Sequence, residues 1–303
     1  MRRTTGYIRA VNGISFKIRR GETLGLVGES GSGKTTVGRA ALRLIEPTDG
    51  QSIIEGKNIF TLSPQELRRM RPRMQLIFQD PYSSLDPRMP IGAAIGEAVL
   101  EHGIIPKREL RDYVLRIMQS CELRPYQYDR YPHEFSGGQR QRVCIARAFA
   151  LNPNFVIADE PVSALDVSVQ AQIINLMRDL QQERGLSYLF ISHDLSVVKH
   201  ISDTVAVMYL GGIVEMASKK ELFSSPVHPY TRALLAAVPS SDPDNKSKRV
   251  TLSGDIVSSL DPPSGCTFHT RCKFALPKCM SEVPSYDEVA SGHFAACHRT
   301  GEI

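Results

Sequence analysis

The chain has 303 residues with a formal net charge of +5, and 42% of the residues are hydrophobic. This composition is sufficient for a sizeable core and excludes a globally disordered chain, while the mild positive charge gives no indication of a nucleic-acid surface. No run reaches the roughly 20 apolar residues that span a bilayer, and polar residues follow the basic start where an export signal would be apolar. We therefore expect a soluble chain that acts at a membrane only through partners.

Buried strands alternate with helices along the chain. Residues 22–27 have the pattern of a buried strand, a glycine-rich turn follows, and residues 35–44 have the pattern of a helix. This is the strand–loop–helix unit of an α/β nucleotide-binding fold. Two further apolar strands at 155–158 and 187–191, with a helix at 169–183 between them, indicate a parallel core sheet.

Two changes in the sequence pattern divide the chain. Residues 87–152 are mainly helical in pattern, which predicts a helical subdomain inserted in the sheet domain. Residues 239–264 are rich in Pro, Ser and Asp, which is typical of a linker. We therefore predict a main α/β domain over 1–238 and a small irregular C-terminal extension over 239–303.

The segment from Gly28 to Thr35 matches the phosphate-loop pattern G-x-x-x-x-G-K-[ST] between a strand and a helix. Glycines allow successive backbone N–H groups to point at phosphate oxygens, and the N-terminus of the following helix adds partial positive charge. Lys34 is the expected cation for the β- and γ-phosphates, and the Thr35 hydroxyl is an expected Mg²⁺ ligand. The candidate nucleotide contacts here are Gly28, Ser30, Gly31, Gly33, Lys34, Thr35 and Thr36.

Acidic and polar residues follow the other predicted strands. Asp159 and Glu160 end the apolar strand at 155–158, and ligands of parallel sheets bind at such strand ends. We expect Asp159 to hold Mg²⁺ and Glu160 to act as the general base that polarises the attacking water. His193 follows the next strand and is a candidate for the γ-phosphate, with a structural histidine as the alternative. Gln79, in a loop, is a candidate contact for Mg²⁺ and the water.

The segment Phe135–Gln139, Phe-Ser-Gly-Gly-Gln, resembles the LSGGQ signature of ATP-binding-cassette ATPases, with Phe in place of Leu. The residues that follow, 140–148, are also similar to that family. In the same order as in the family, Gln79 matches the Q-loop, residues 163–166 the D-loop and His193 the switch histidine. The resemblance covers roughly residues 5–220 and implies a P-loop ATPase core with ATP and Mg²⁺ as cofactors.

The resemblance also implies how the site is assembled. Two ATPase subunits of this family pair head to tail, so ATP held by Lys34 of one chain would be covered by the signature of the other. The covering residues would be Ser136, Gly137, Gly138 and Gln139. Tyr7 is the candidate aromatic that stacks on adenine, and a tyrosine packed on the sheet is the alternative.

Residues 226–235 and 79–87 are similar to segments of oligopeptide and dipeptide importer ATPases. This likeness implies ATP-driven peptide import at the cytoplasmic face of a membrane, without nucleic acid. It also implies three kinds of partner, namely a second ATPase subunit in a heterodimer, two membrane-spanning permease subunits and an external solute-binding protein. The alternatives are import of nickel or another solute, a non-hydrolytic nucleotide-sensing subunit, and a soluble cassette ATPase acting on ribosomes or DNA.

Four of the six cysteines, Cys266, Cys272, Cys279 and Cys297, follow one another with the spacing C-x5-C-x6-C-x17-C. Four thiolates suit Zn²⁺ or an iron–sulfur cluster, although the spacing matches neither a standard zinc finger nor the common ferredoxin pattern. The likeness to peptide-importer ATPases implies a [4Fe–4S] cluster, with zinc or free thiols as alternatives. Three nearby histidines are alternative ligands, namely His269, His293 and His298.

Overall fold

The computed structural model of the chain describes residues 8–237, 260 and 262–302. Its strands, in chain order, are β1 (Thr23–Val27), β2 (Ile53–Ile54), β3 (Lys57–Asn58), β4 (Met74–Ile77), β5 (Phe155–Asp159), β6 (Ser187–Ser192), β7 (Thr204–Tyr209), β8 (Gly212–Ser218), β9 (Asp287–Ala290) and β10 (His293–Ala295).

The helices alternate with these strands through most of the chain, as the α/β pattern predicts. They are α1 (Lys34–Ala41), α2 (Pro64–Met70), α3 (Ile91–Glu101), α4 (Leu110–Ser120), α5 (Gly137–Phe149), α6 (Val167–Arg184), α7 (Leu195–Ile201), α8 (Lys219–Ser224), α9 (Pro229–Ala236) and α10 (Pro277–Ser281). Short 3₁₀ turns lie at Arg71–Arg73, Lys107–Glu109, Pro125–Gln127, Pro132–Glu134 and His269–Arg271.

The chain divides into two compact units. The described residues of the first unit come from 1–17, 24–37 and 192–303, and those of the second from 18–23 and 38–191. The first unit contains most of β1 and the strands after β6, and the second contains β4 and β5, most of β6 and the helices α2 to α6.

In the second unit, β4, β5 and β6 are parallel neighbours, with Leu76 opposite Ile157 and Ala158 opposite Phe190. Every residue of β6 is buried, and Tyr188 and Phe190 are fully so. Parallel strands covered on both faces have such continuous apolar sequences. The predicted parallel core is therefore present in this unit.

Between β4 and β5 the second unit is helical. The helices α3, α4 and α5 pack against one another, and their buried faces include Ile95, Val99, Val114, Met118 and Ile145. The three 3₁₀ turns in this region begin at or next to Pro106, Pro125 and Pro132, where proline removes a backbone donor. This part of the chain is the helical subdomain inserted in the α/β core.

In the first unit, β1 pairs in parallel with β7, and Gly25 lies opposite Val205. From β7 outward the sheet is antiparallel, in the order β7, β8, β10 and β9. The sequence patterns had not indicated β7 to β10. The pair β9 and β10 belongs to the C-terminal extension, so the extension contributes strands to the sheet of this unit.

Helix α1 is shorter than its sequence pattern indicated. It was expected to extend to Leu44 but ends at Ala41, because Arg43 adopts a left-handed backbone with φ of 52°. The N–H of Leu44 then donates to the carbonyl of Arg39 over 2.8 Å. This closure is a C-terminal capping arrangement that a non-glycine residue rarely adopts.

Candidate nucleotide-binding site

The phosphate loop lies between β1, whose residues are all buried, and α1. Gly33 has a φ of 104°, and a Cβ built there would lie 2.0 Å from the carbonyl oxygen of Ala10. A Cβ on Gly28 would lie 2.2 Å from the carbonyl oxygen of Met208. The pattern glycines are therefore required by close backbone approach as well as by the turn.

Lys34 is 5% exposed, and its ammonium folds back over the loop. Nζ of Lys34 donates to the carbonyl oxygens of Gly28 at 2.8 Å and Glu29 at 2.9 Å. A compact cation is thus fixed beside the loop, at the start of a helix whose first turn carries partial positive charge. Anionic phosphate oxygens are the ligands that this arrangement favours.

The second unit holds the acidic pair at the end of β5. Asp159 is its last residue and is 2% exposed, and Glu160 follows it. Glu160 has a φ of 47°, a conformation that costs free energy for a non-glycine residue. Its N–H donates to the carbonyl of Ile191 over 2.9 Å, which holds the strained residue in place.

Gln79 and Glu160 meet in this unit, since Nε2 of Gln79 donates to Oε2 of Glu160 at 3.2 Å. The Glu160 carbonyl accepts a bond from the Ser163 hydroxyl at 3.1 Å. Gln170 of α6 donates to the carbonyls of Val162 and Leu165, both at 3.0 Å. The turn after β5 is therefore ordered by side chains, and its carboxylate is held beside an amide that can orient water.

The signature segment forms the N-terminus of α5. Ser136 is the N-cap: its hydroxyl accepts from the N–H of Gln139 at 3.3 Å, and its own N–H donates to Oε1 of Gln139 at 3.1 Å. Ser136, Gly137 and Gln139 are exposed, whereas Phe135 is 3% exposed and packs inward. The helix therefore presents a capped, exposed N-terminus, and the Phe that replaces the Leu of the signature is a core residue.

The other predicted site residues differ in their exposure to solvent. His193 follows β6 in the first unit and is exposed. Ser30 and Gly31 of the phosphate loop are exposed, while Thr35 and Thr36 are half-buried. Tyr7, the predicted adenine-stacking residue, lies outside the described residues.

Two family models match the sequence of this chain. The model described as ABC transporter matches residues 11–163, and a second, described as the oligopeptide/dipeptide transporter C-terminal region, matches residues 214–279. The chain belongs to the ABC transporter family. It is an ATPase of that family, with ATP and Mg²⁺ as its nucleotide and metal.

Relatives and solved structures agree with this membership. The chain is 56% identical to a Brucella ovis protein called "Putative peptide import ATP-binding protein", over 96% of this chain and 92% of the relative. It is 52% identical to the oligopeptide transport ATP-binding protein AppF of Bacillus subtilis, over 98% and 91% of the two chains. Among solved structures, the chain is similar to the ATP-binding cassette MJ0796 in a dimeric post-hydrolysis state bound to ADP and phosphate. The two structures superpose with a TM-score of 0.63 at 28% sequence identity, over 69% of this chain and 90% of MJ0796.

The four cysteines of the C-terminal extension line a single pocket of the first unit. None of these four cysteines, all of which lie in the described part of the chain, forms a disulfide bond. In the part of the chain that the structure describes, no three His, Cys, Asp or Glu side chains are arranged closely enough to hold a metal ion. Burial raises the pKa of Cys266 to about 11 and also raises the pKa values of Cys272 and Cys297. Any metal that binds here must therefore displace thiol protons.

All three alternative histidine ligands have other contacts. Nδ1 of His269 lies 2.8 Å from the carbonyl oxygen of Cys266. Nε2 of His293 lies 2.7 Å from the fully buried carboxylate of Glu215 on β8. The same carboxylate accepts bonds from the N–H groups of Val227 at 2.7 Å and His228 at 2.9 Å. Nε2 of His298 lies 3.0 Å from the carbonyl of Glu282. The Glu215 carboxylate on β8 therefore bonds both to the backbone at the start of α9 and to the His293 side chain on β10.

Sequence reasoning missed the contacts of Glu29, the second residue of the phosphate loop. Its carboxylate accepts two bonds from the guanidinium of Arg271, at 2.6 and 2.9 Å, and its N–H donates to the Tyr230 hydroxyl at 2.9 Å. These bonds to the Glu29 carboxylate raise the pKa of Arg271. The only signal in the sequence was the likeness of residues 226–235, which contain Tyr230, to importer ATPases.

Proposed function

We propose that the chain hydrolyses ATP to power the import of peptides or similar solutes through a membrane transporter. Hydrolysis is supported chiefly by the contact of Gln79 with Glu160 at the end of β5, where an attacking water would be oriented. The peptide class is supported by the names of the relatives and by the family match over 214–279.

The proposed chemistry is phosphoryl transfer to water, in which positioning and charge supply most of the rate. Lys34 would hold the β- and γ-phosphates, Glu160 would take the proton of the attacking water, and His193 would face the γ-phosphate. Gln79 would orient the water. The backbone N–H groups of Gly28, Ser30, Gly31 and Gly33, with Thr36, would surround the phosphates.

Magnesium fits the residues proposed for it. The Thr35 hydroxyl, the Gln79 amide and the buried Asp159 carboxylate offer hard oxygen ligands, which Mg²⁺ prefers. When bound, the ion neutralises charge on the phosphates.

The signature is proposed to act across a dimer. Ser136, Gly137, Gly138 and Gln139 would cover the nucleotide of a second ATPase subunit, and the exposure of this helix N-terminus supports that role. Tyr7 is proposed to stack on adenine. A heterodimer is proposed in preference to a homodimer.

The proposed location is the cytoplasmic face of the membrane, with two permease subunits and an external solute-binding protein as partners. None of the helices in the described part of the chain has an apolar stretch of the length that spans a bilayer. The proposed division of the chain is a cassette domain over 1–238, with its helical part over about 87–152, and an extension over 239–303.

The extension is proposed to hold a [4Fe–4S] cluster, with Zn²⁺ as the alternative. The support is chemical, since Cys266, Cys272, Cys279 and Cys297 line one pocket and four thiolates suit either group. Binding would draw the thiolates closer together than the described arrangement places them. The roles proposed for Lys34, Glu160 and Gln79 in ATP hydrolysis do not involve this group.

Uptake by cells tests the function. In a host that depends on this transporter, Glu160→Gln should abolish uptake of radiolabelled oligopeptides and leave nickel uptake unchanged. Glu183→Gln, an exposed change on α6, is the matched control. Loss of nickel uptake with normal peptide uptake would reject the peptide class. A wild-type transporter that imports peptide without any ATP turnover by this chain would instead identify a nucleotide-sensing subunit.

A further inference from the structure

Glu29 of the phosphate loop is bonded in three directions. Its carbonyl accepts from Nζ of Lys34 at 2.9 Å, its N–H donates to the Tyr230 hydroxyl at 2.9 Å, and its carboxylate receives both bonds from Arg271. The last two partners lie after β8, outside the phosphate-loop motif. The conformation of Glu29 therefore depends on the C-terminal part of the first unit.

The ion pair of Arg271 and Glu29 is well shielded from water. The Arg271 side chain is 5% exposed and that of Glu29 is 24% exposed. A bidentate guanidinium–carboxylate pair fixes both distance and orientation. Removing one partner of such a shielded pair leaves the other charge without compensation.

Arg271 is itself held in place by the segment that carries the first two cysteines of the pocket. It ends the 3₁₀ turn His269–Arg271, directly before Cys272. Phe268, 2% exposed, packs with ring centroids 5.3 Å from both Tyr209 and Tyr230. The guanidinium lies over the Tyr209 ring at 5.9 Å. This packing leaves Arg271 little freedom to move away from the loop.

We infer that Arg271 is a positioning residue for the phosphate loop. It fixes Glu29, the Glu29 carbonyl fixes the ammonium of Lys34, and the C-terminal extension thereby sets the affinity for nucleotide. The inference rests on the proposed role of Lys34 in binding phosphate.

Binding of MgATP to the purified full-length chain tests this role. Arg271→Ala should raise the Kd by roughly 10-fold, within the range of ordinary coupling between sites. Arg271→Lys keeps the charge but loses the paired geometry, so it should recover only part of the affinity. Lys278→Ala removes an exposed ion pair with Glu282 from the same extension and should leave the Kd unchanged.

A double-mutant cycle separates positioning from simple charge neutralisation. If Arg271 positions the loop, Glu29→Gln should also weaken MgATP binding, and the double variant should be no weaker than the worse single variant. If Arg271 only neutralises a carboxylate near the phosphates, Glu29→Gln should tighten binding. That result, or an Arg271→Ala Kd within twofold of wild type, would overturn the inference.

Two further controls keep the outcomes distinct. Should Arg271→Ala fail to fold, the isosteric Glu29→Gln and the charged Arg271→Lys carry the test. Lys34→Ala tests the phosphate loop itself. If Lys34→Ala keeps its affinity for MgATP, the proposed contact of Lys34 with nucleotide is rejected. If Lys34→Ala loses that affinity while Arg271→Ala and Glu29→Gln bind MgATP normally, only the positioning role of Arg271 is rejected.

Discussion

Gln79 and Glu160 lie 81 residues apart in the sequence, and Nε2 of Gln79 donates a hydrogen bond to Oε2 of Glu160 over 3.2 Å. The pair joins the loop after β4 to the end of β5. A carboxylate held in this way, on a residue whose backbone is strained, has the position of a group that orients and deprotonates water.

Replacing Glu160 with Gln should stop turnover and spare binding. The amide keeps the size of the side chain but cannot accept a proton, so we expect ATP hydrolysis to fall by at least about 100-fold. The Kd for ATP should stay within a few-fold of wild type, and dimers should accumulate in size-exclusion chromatography with ATP. Glu183→Gln is the control, and normal turnover in Glu160→Gln would remove Glu160 from its proposed role.

Replacing Lys34 with Ala should abolish measurable nucleotide binding. The change removes the cation and also frees the carbonyls of Gly28 and Glu29, which Nζ of Lys34 now binds. A loss of at least about 100-fold in affinity is expected for removal of a shielded charge contact, measured by calorimetry with MgATP. Lys57→Ala, exposed on β3, should bind normally.

Two glycines of the loop provide a matched test of close packing. Gly31 and Gly33 both have positive φ, but a Cβ on Gly31 meets no atom within 4 Å, whereas one on Gly33 would lie 2.0 Å from the Ala10 carbonyl oxygen. An Ala side chain strains the backbone at both positions, more at the φ of 104° of Gly33 than at the φ of 80° of Gly31, and only Gly33→Ala adds a collision. We expect Gly33→Ala to be less stable than Gly31→Ala by about 2 kcal/mol in nucleotide-free thermal unfolding. Equal stabilities of the two variants would show that the close approach of the Ala10 carbonyl oxygen does not require glycine at position 33.

Replacing Cys272 with Ser should remove the metal proposed for the extension. Iron, sulfide and zinc would be measured on protein purified without oxygen, together with the visible spectrum. Cys144→Ser is the control, because Cys144 is buried in α5 of the second unit and faces the Pro81 carbonyl at 3.8 Å. Unchanged metal content in Cys272→Ser would contradict a site made by the four cysteines.

His228 gives the fold a sensitivity to acid. Burial lowers its pKa from 6.5 to about 3, and its Nδ1 accepts from the N–H of Tyr230 at 3.1 Å. Between these two pKa values the unfolded chain binds a proton that the folded chain does not, so stability falls as the pH drops below about 6.5. The slope is about 1.4 kcal/mol per pH unit.

The variant His228→Asn retains a side-chain acceptor at the N-cap of α9 but has no titrating group. Between pH 7.5 and 5.5 we therefore expect wild type to lose about 1.4 kcal/mol more stability than His228→Asn. Denaturant unfolding at the two pH values measures the difference. Parallel losses in the two proteins would show that His228 does not stay neutral in the fold.

The sequence was informative wherever the signal is local. The phosphate loop is a contiguous motif between a strand and a helix, and the mutually capping residues Ser136 and Gln139 are only three positions apart. Each of these two features can therefore be predicted from one short stretch of sequence. The α/β class follows for the same reason, because burial imposes its periodicity on each element separately.

Contacts between distant segments had no such signal. Arg271 and Glu29 lie 242 residues apart, and neither residue type at its position indicates the other. The left-handed backbone of Glu160 could not be predicted from a residue that rarely adopts it. The short strand β10 of three residues was missed because it carries too few residues to show an alternating pattern.

The pairing of β10 with β8 attaches the extension to the body of the first unit by noncovalent bonds in addition to the peptide chain. Ala295 lies opposite Glu215, and the N–H of Ala296 donates to the Val214 carbonyl at 2.8 Å. The guanidinium of Arg271 also donates to the carboxylate of Glu29. A polypeptide severed between residues 238 and 259 should consequently remain a single particle. Its two fragments, made as separate chains, should find each other by complementation, as a strand finds an open sheet edge.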